Sequence, residues 1–150
     1  MPLKGIVDLL MAARYIPKKY SIHFLMVGDG PLRRNIIRIA KSEGVSLTIT
    51  GWVSDPEKYY SIMDVFVLPS YSEGFPRTCL EAMAMEKPLI VTNVGENKYI
   101  IKDGKNGFMI LPGNSELLAK RIITLIENRS LIKKWGKRNR EIVKKSYTLE

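Results

Sequence analysis

Apolar positions along this chain follow two alternating patterns. Short apolar, β-branched runs at residues 22–27, 47–50, 64–68, 88–92 and 107–111 suit strands buried on both faces of a parallel sheet. Between them lie stretches that read as helices: 6–15, 32–42, 57–63, 77–85, 116–128 and 130–145. The first is carried by the stripe Ile6, Leu9, Leu10, Ala13 and Ile16, the fifth by Leu118, Ile122, Leu125 and Ile126, and the last by Leu131, Trp135 and Ile142. Punctuation agrees with the pattern: Gly28-Asp29-Gly30-Pro31 turns a strand into a helix, Asp55 caps a helix with Pro56 at its first position, and Pro69 ends a strand. Pro76 opens a further helix, and Ser115 is expected to cap the next. Residues 1–5 read as a loop leading into the first helix. Strands alternating with helices throughout predict an α/β fold, a Rossmann-like doubly wound parallel sheet, in one domain spanning 1–150.

Chemistry concentrates where the third strand ends. A Gly/Pro loop carries Glu73, the next helix carries Glu81 about one turn in, and seven residues separate the two. In an open α/β sheet this junction lies at the carboxyl ends of the strands. Unpaired N–H groups and the positive end of the helix dipole favour an anion there. Two carboxylate acceptors flanking a phosphate site match a nucleotide sugar, which has hydroxyls on either side of its phosphates. By themselves the two glutamates equally fit a solvated loop residue and an exposed helix residue.

The residues between them add more. Pro69, Ser70, Glu73, Gly74, Phe75, Leu80, Glu81, Ala82, Met83, Ala84, Pro88, Ile90 and Thr92 stand at the positions of P-S-x-x-E-G-F-x-x-x-x-L-E-A-M-A-x-x-x-P-x-I-x-T. With this Glu-x7-Glu motif the chain resembles the nucleotide-binding C-terminal half of the retaining glycosyltransferases of family 4, which have the GT-B fold. The likeness extends through Lys4-Gly5, Gly28-Asp29-Gly30-Pro31, Gly51-Trp52-Val53 and Asp103-Gly104 to Gly107, in the family's order. It implies retaining, metal-independent transfer from an NDP-sugar such as a UDP- or GDP-sugar, with no further cofactor. It also implies that the acceptor is held by an N-terminal domain absent here, together with a first strand and a last crossover helix. On this resemblance the isolated chain is expected to fold without transferring sugar.

The resemblance also suggests roles. Lys4 neutralises the donor diphosphate, although the arginine that accompanies it in the family is absent. Gly28 and Gly30 line the donor site; on its own their loop reads as a tight turn. Trp52 and Val53 lie at the nucleotide base, with core packing or burial against the absent partner domain the alternative for Trp52. Glu81 accepts from ribose hydroxyls, while Glu73, with Gly74 and Phe75, holds the sugar and is the catalytic candidate. Backbone N–H groups near Arg77 and Thr78 meet the diphosphate, with the Arg77 side chain either a second cation or merely solvated. Two positions depart from the family. Glu86 replaces a glycine after a helix, and Glu96-Asn97-Lys98-Tyr99 replaces G-x-P-E in a loop that bears on sugar or acceptor selectivity.

Composition narrows the remaining classes. A single histidine, His23, builds neither a Ser-His-Asp triad nor a histidine metal site, and it is expected to pack or cap. The sole cysteine, Cys79, excludes an internal disulfide and is expected to pack. The two-glycine loop lacks the third glycine of a dinucleotide fingerprint, which disfavours a nicotinamide cofactor. With 24 Lys+Arg against 15 Asp+Glu the net charge is +9, much of it on the last predicted helix. That basic face is open to three readings: a solvated surface, contact with an anionic membrane, or nucleic acid. Nucleic acid is the least favoured, because no aromatic stacking platform accompanies the charge. No apolar run approaches the ~20 residues of a membrane span, so a cytoplasmic protein, peripheral at most, is expected. An epimerase or hydrolase on the same fold and a non-catalytic nucleotide-sugar-binding module are the alternative functions.

Overall fold

The structure, a computed structural model, describes residues 2–147, with side chains from residue 5 onward. Its elements run α1 (Pro2–Ala12), a 3-10 turn (Ala13–Tyr15), β1 (Phe24–Met26), α2 (Arg33–Glu43), β2 (Leu47–Ile49), α3 (Pro56–Ser61) and β3 (Phe66–Leu68). They continue through α4 (Arg77–Ala84), β4 (Leu89–Thr92), α5 (Asn97–Ile100), β5 (Gly107–Ile110), α6 (Ser115–Ile126) and α7 (Arg129–Ser146). All the expected strands and helices form, and every strand pairing is parallel.

The sheet is in two pieces. β1 pairs with β2 through Phe24↔Leu47 to Met26↔Ile49, and β4 lies between β3 and β5. Alternate residues of β4 feed opposite cores, which makes the larger piece doubly wound. Ile90 packs with Phe108, Ile110, Leu118, Leu125 and Trp135, towards α6 and α7. Leu89 and Val91 pack with Phe66, Cys79, Ala82, Met83 and Ile100, towards α4 and α5. All four residues of β4 are buried, whereas β1 is half-buried along its length over a third cluster of Leu10, Ile36 and Ala40.

Local chemistry corrects several expectations. The helix begins at Pro2 in place of a loop over 1–5, because proline is tolerated in a first turn and Gly5 lets the helix abut the end of β3. A Cβ on Gly5 would lie 2.3 Å from the Pro69 carbonyl oxygen. Asn114, not Ser115, caps α6 by accepting from Leu117 N–H at 3.0 Å, which frees the Ser115 hydroxyl to donate to the Asp8 carbonyl at 2.9 Å. Asn128 caps α7 in the same way. The Asp55 side chain makes no cap bond and pairs with Lys58 at 3.6 Å. The loop after β4 contains the short helix α5.

Glu86 occupies the left-handed region, φ 62°, where the resembled family has glycine. There it directs its carbonyl at α7, so closely that a Cβ on Gly136 would lie 2.1 Å from it. Beside this contact, Asn139 donates to the carbonyls of Lys87 and Asn106, and Asn106 donates to Asn139 Oδ1, locking α7 onto the ends of β4 and β5.

Candidate functional site

The loop between β3 and α4 is held from several sides. Ser70 Oγ donates to Glu73 Oε2 at 2.7 Å. Thr92 Oγ1 at the end of β4 donates to the Ser70 carbonyl at 2.6 Å, and Asn97 Nδ2 donates to the Thr92 carbonyl at 2.8 Å. Asn97 Oδ1 is buried without a partner among the described residues. Gly95, at φ 54°, lies so near that a Cβ would sit 2.0 Å from the Glu73 carbonyl oxygen, and Glu96 N–H reaches the Gly74 carbonyl at 3.4 Å. Tyr71 hydroxyl donates to Asp8 Oδ2 of α1 at 2.5 Å, a bond that raises the Tyr71 pKa above its ordinary value.

α4 then starts with open donors. Arg77 N–H bonds the Phe75 carbonyl at 3.0 Å, while Thr78 N–H, also in the first turn, has no hydrogen-bond partner among the described residues. Gly74, Phe75, Arg77 and Thr78 are exposed, Phe75 at 58%. Glu81 is half-buried, one turn further along. Burial raises its carboxyl above the ordinary value, Glu57 on α3 raises it further, and Arg77 works in the opposite direction. The neighbouring Tyr60 is pushed up to about 12, first by burial and then by Glu81 and Glu57. Cys79 is buried, and its thiol is pushed up to about 12 by burial and by Glu73, which suits packing rather than nucleophilic chemistry.

The other predicted residues gather at the carboxyl ends of β1 and β2. Gly28 forms a bridge with Gly51, and its N–H donates to Thr50 Oγ1 at 3.0 Å. Asp29 ties Gly30 N–H at 2.8 Å and Arg33 at 3.3 Å. Nothing lies within 4 Å of where a Cβ would stand on Gly28 or Gly30. Trp52 is 80% exposed, so the core-packing alternative does not hold. With Val53, Ser54, Asp55, Lys58 and Tyr59 it lines a cavity of about 330 Å³. A larger cavity of about 410 Å³ between α2 and β2 is lined by none of the predicted site residues. His23 sits between Ser46 Oγ at 2.5 Å and Thr48 Oγ1 at 2.7 Å, a bridging role across β1 and β2.

The fold therefore brings the predicted residues into two groups. Glu73, Gly74, Phe75, Arg77, Thr78 and Glu81 surround the start of α4, while Gly28 and Gly30 adjoin Gly51, Trp52 and Val53. No hydrogen bond or ion pair links the groups among the described residues. The Lys4 side chain lies outside the described residues; its neighbour Gly5 abuts Pro69 and Ser70. The sequence pattern gives no role to Asp8, Ser70, Tyr71, Thr92 or Gly95, and Asn97 enters it only as part of the loop that bears on sugar or acceptor selectivity. Only the three-residue spacing of Ser70 and Glu73 in a loop was a usable signal, since the other contacts join distant segments. Among the described residues no helix is long and apolar enough to cross a membrane.

Comparison with known proteins adds independent findings. The profile described as "Glycosyl transferases group 1" matches residues 1–142. The capsular polysaccharide biosynthesis glycosyltransferase CapM of Staphylococcus aureus is 30% identical over 97% of this chain and 39% of its own length. UDP-Gal:alpha-D-GlcNAc-diphosphoundecaprenol alpha-1,3-galactosyltransferase of Escherichia coli is 29% identical over 87% of this chain and 35% of its own length. The solved C-terminal domain of a glycosyl transferase group 1 family protein (LpcC) from Francisella tularensis superimposes with a TM-score of 0.86 at 26% identity, covering 98% of this chain and 81% of that one. The chain thus spans about two fifths of the length of the curated relatives it matches.

Proposed function

Because the chain belongs to the group 1 glycosyl transferases and has the fold of their GT-B members, we propose that it is the donor-binding part of a retaining enzyme that transfers sugar from a nucleotide sugar. The observation that carries this reading is the start of α4, where an unpaired Thr78 N–H lies between Glu73 in the loop and Glu81 one turn in. A helix start favours the diphosphate, and carboxylates on either side accept hydrogen bonds from sugar and ribose hydroxyls. The UDP-Gal in the name of the Escherichia coli relative supports a donor of this class.

In this reading Trp52 and Val53 receive the base, Gly28 and Gly30 leave backbone open beside the phosphates, and Glu81 accepts from the ribose. Lys4 and the N–H groups at Arg77 and Thr78 stabilise negative charge as the diphosphate leaves. Glu73, with Gly74 and Phe75, holds the sugar and favours positive charge developing on its ring. The acceptor is held by a further domain of a protein as long as its relatives, so the 150-residue chain binds donor without transferring sugar at enzymatic rates. The setting is cytoplasmic.

Calorimetry with UDP, GDP and ADP in EDTA tests the reading. Binding of one of them without a divalent ion is expected, and binding only when metal is added would overturn the metal-free part. Glu81→Gln should weaken the nucleotide, whereas Glu73→Gln should leave it nearly unchanged and reduce transfer in a longer form. Equal losses of nucleotide affinity would remove that division.

The exposed side of α7 adds a peripheral contact to the proposal. Lys133, Lys134, Lys137, Arg138, Arg140 and Lys145 are exposed on a helix whose other side packs through Trp135 and Asn139. Near an anionic leaflet each basic residue contributes about 1 kcal/mol. Cosedimentation with phosphatidylglycerol vesicles but not phosphatidylcholine vesicles is expected, and equal recovery with both would exclude it.

A further inference from the structure

A chain of hydrogen bonds runs from the core to the carboxylate of Glu73. Asn97 and Thr92, each 1% exposed, are joined by Asn97 Nδ2 donating to the Thr92 carbonyl at 2.8 Å. Thr92 Oγ1 donates to the Ser70 carbonyl at 2.6 Å, and Ser70 Oγ donates to Glu73 Oε2 at 2.7 Å. Gly95 abuts the Glu73 carbonyl, so the backbone and the side chain of this glutamate are held by different contacts.

A glutamate on a partly exposed loop has several rotatable bonds, and ordering it costs conformational entropy that a ligand would otherwise have to supply. Here the ordering is built in. Oε2 is engaged by Ser70, and Oε1 bonds no protein group among the described residues, which leaves it for a ligand hydroxyl. We infer that Ser70 and Thr92 are positioning residues for Glu73: the Ser70 hydroxyl sets the orientation of the carboxylate, and Thr92 sets Ser70. This rests on the donor-binding reading only in naming what Glu73 meets; the ordering itself is a property of the free protein.

The pair separates from a merely structural role by which hydroxyl is removed. Thr92→Val keeps the shape and loses the donor, whereas Thr92→Ser keeps the donor and loses a methyl. In the free 150-residue chain, ¹³C NMR of the Glu73 side chain, assigned by its loss in Glu73→Gln, should show one rotamer in wild type and in Thr92→Ser. Ser70→Ala and Thr92→Val should show an averaged side chain, with cooperative melting confirming that both remain folded. Calorimetry then compares UDP with UDP-glucose and GDP with GDP-mannose. In whichever pair wild type binds, Ser70→Ala should lose the sugar's added affinity by about tenfold while the diphosphate alone changes less than twofold. An unchanged Glu73 rotamer in Ser70→Ala, or Thr92→Ser behaving like Thr92→Val, overturns the inference. If wild type binds none of the four ligands while Glu73 still disorders in Ser70→Ala, the donor-binding reading fails and the positioning inference stands.

Discussion

The two pieces of the sheet differ in how they hold chemistry. In the three-stranded piece β4 is buried throughout, and its carboxyl end ties down the Glu73 loop through Thr92, Gly95 and Asn97. In the two-stranded piece β1 and β2 contain no fully buried residue, and the loop beyond β2 leaves Trp52 80% exposed. Charge placement needs fixed geometry, because a misdirected carboxylate loses its hydrogen bonds. An aromatic surface binds any flat ring over a range of positions. The difference teaches that the sugar end of the proposed site is preorganised by the core, while the base end relies on an open face.

The largest expected effect sharpens this contrast in stability. Ile90→Ala in β4 should cost about 2–5 kcal/mol, and Leu25→Ala in half-buried β1 less than half as much. Urea denaturation measures both, and equal losses would erase the distinction between the two pieces.

Glu81→Gln should cost about 1.5–3 kcal/mol of nucleotide affinity by calorimetry, and the same change should raise stability. Glu81 has a folded pKa above its unfolded one, so its ionised form costs the fold stability at neutral pH. That cost fades as pH falls through the folded pKa. The stability advantage of Glu81→Gln should therefore be present at neutral pH and shrink on acidification; an advantage that grows in acid would contradict the assignment.

Trp52→Ala should weaken nucleotide binding by about 1–3 kcal/mol while moving stability by no more than about 0.5 kcal/mol. A large fall in melting temperature would mean that Trp52 packs after all and that the base end is not an open face. The smallest effect is expected at Glu86→Gly, a gain of about 1 kcal/mol, because glycine adopts the left-handed backbone that glutamate holds at φ 62°. Donor binding should not change, since Glu86 faces α7 and not the Glu73 loop.

Much of the fold was legible in the sequence because strand and helix periods are local properties. Pro69 and Pro76 bracket the Glu73 loop as expected, and Pro56 opens α3. The cap of α6 lies one residue before the expected one: Ser115 and Asn114 are both competent, and the choice turned on Asp8, over a hundred residues away, accepting from Ser115. Glu73 and Glu81 stood out because their spacing lies within one loop and one helix turn. The roles of Ser70, Thr92 and Asn97 did not, because they arise where β3 and β4 are brought side by side.

Taken alone, the sequence determined the order of strands and helices, the parallel α/β class, the candidate glutamates and the family they indicate, since each depends on periodicity, spacing or local residue type. Only the tertiary structure decided that the sheet is in two pieces, that Trp52 faces solvent and that Glu86 takes a left-handed backbone against Gly136. It alone decided that one oxygen of Glu73 is held while the other is left open. These depend on which distant backbones meet and on what burial removes from water, and no local pattern encodes either.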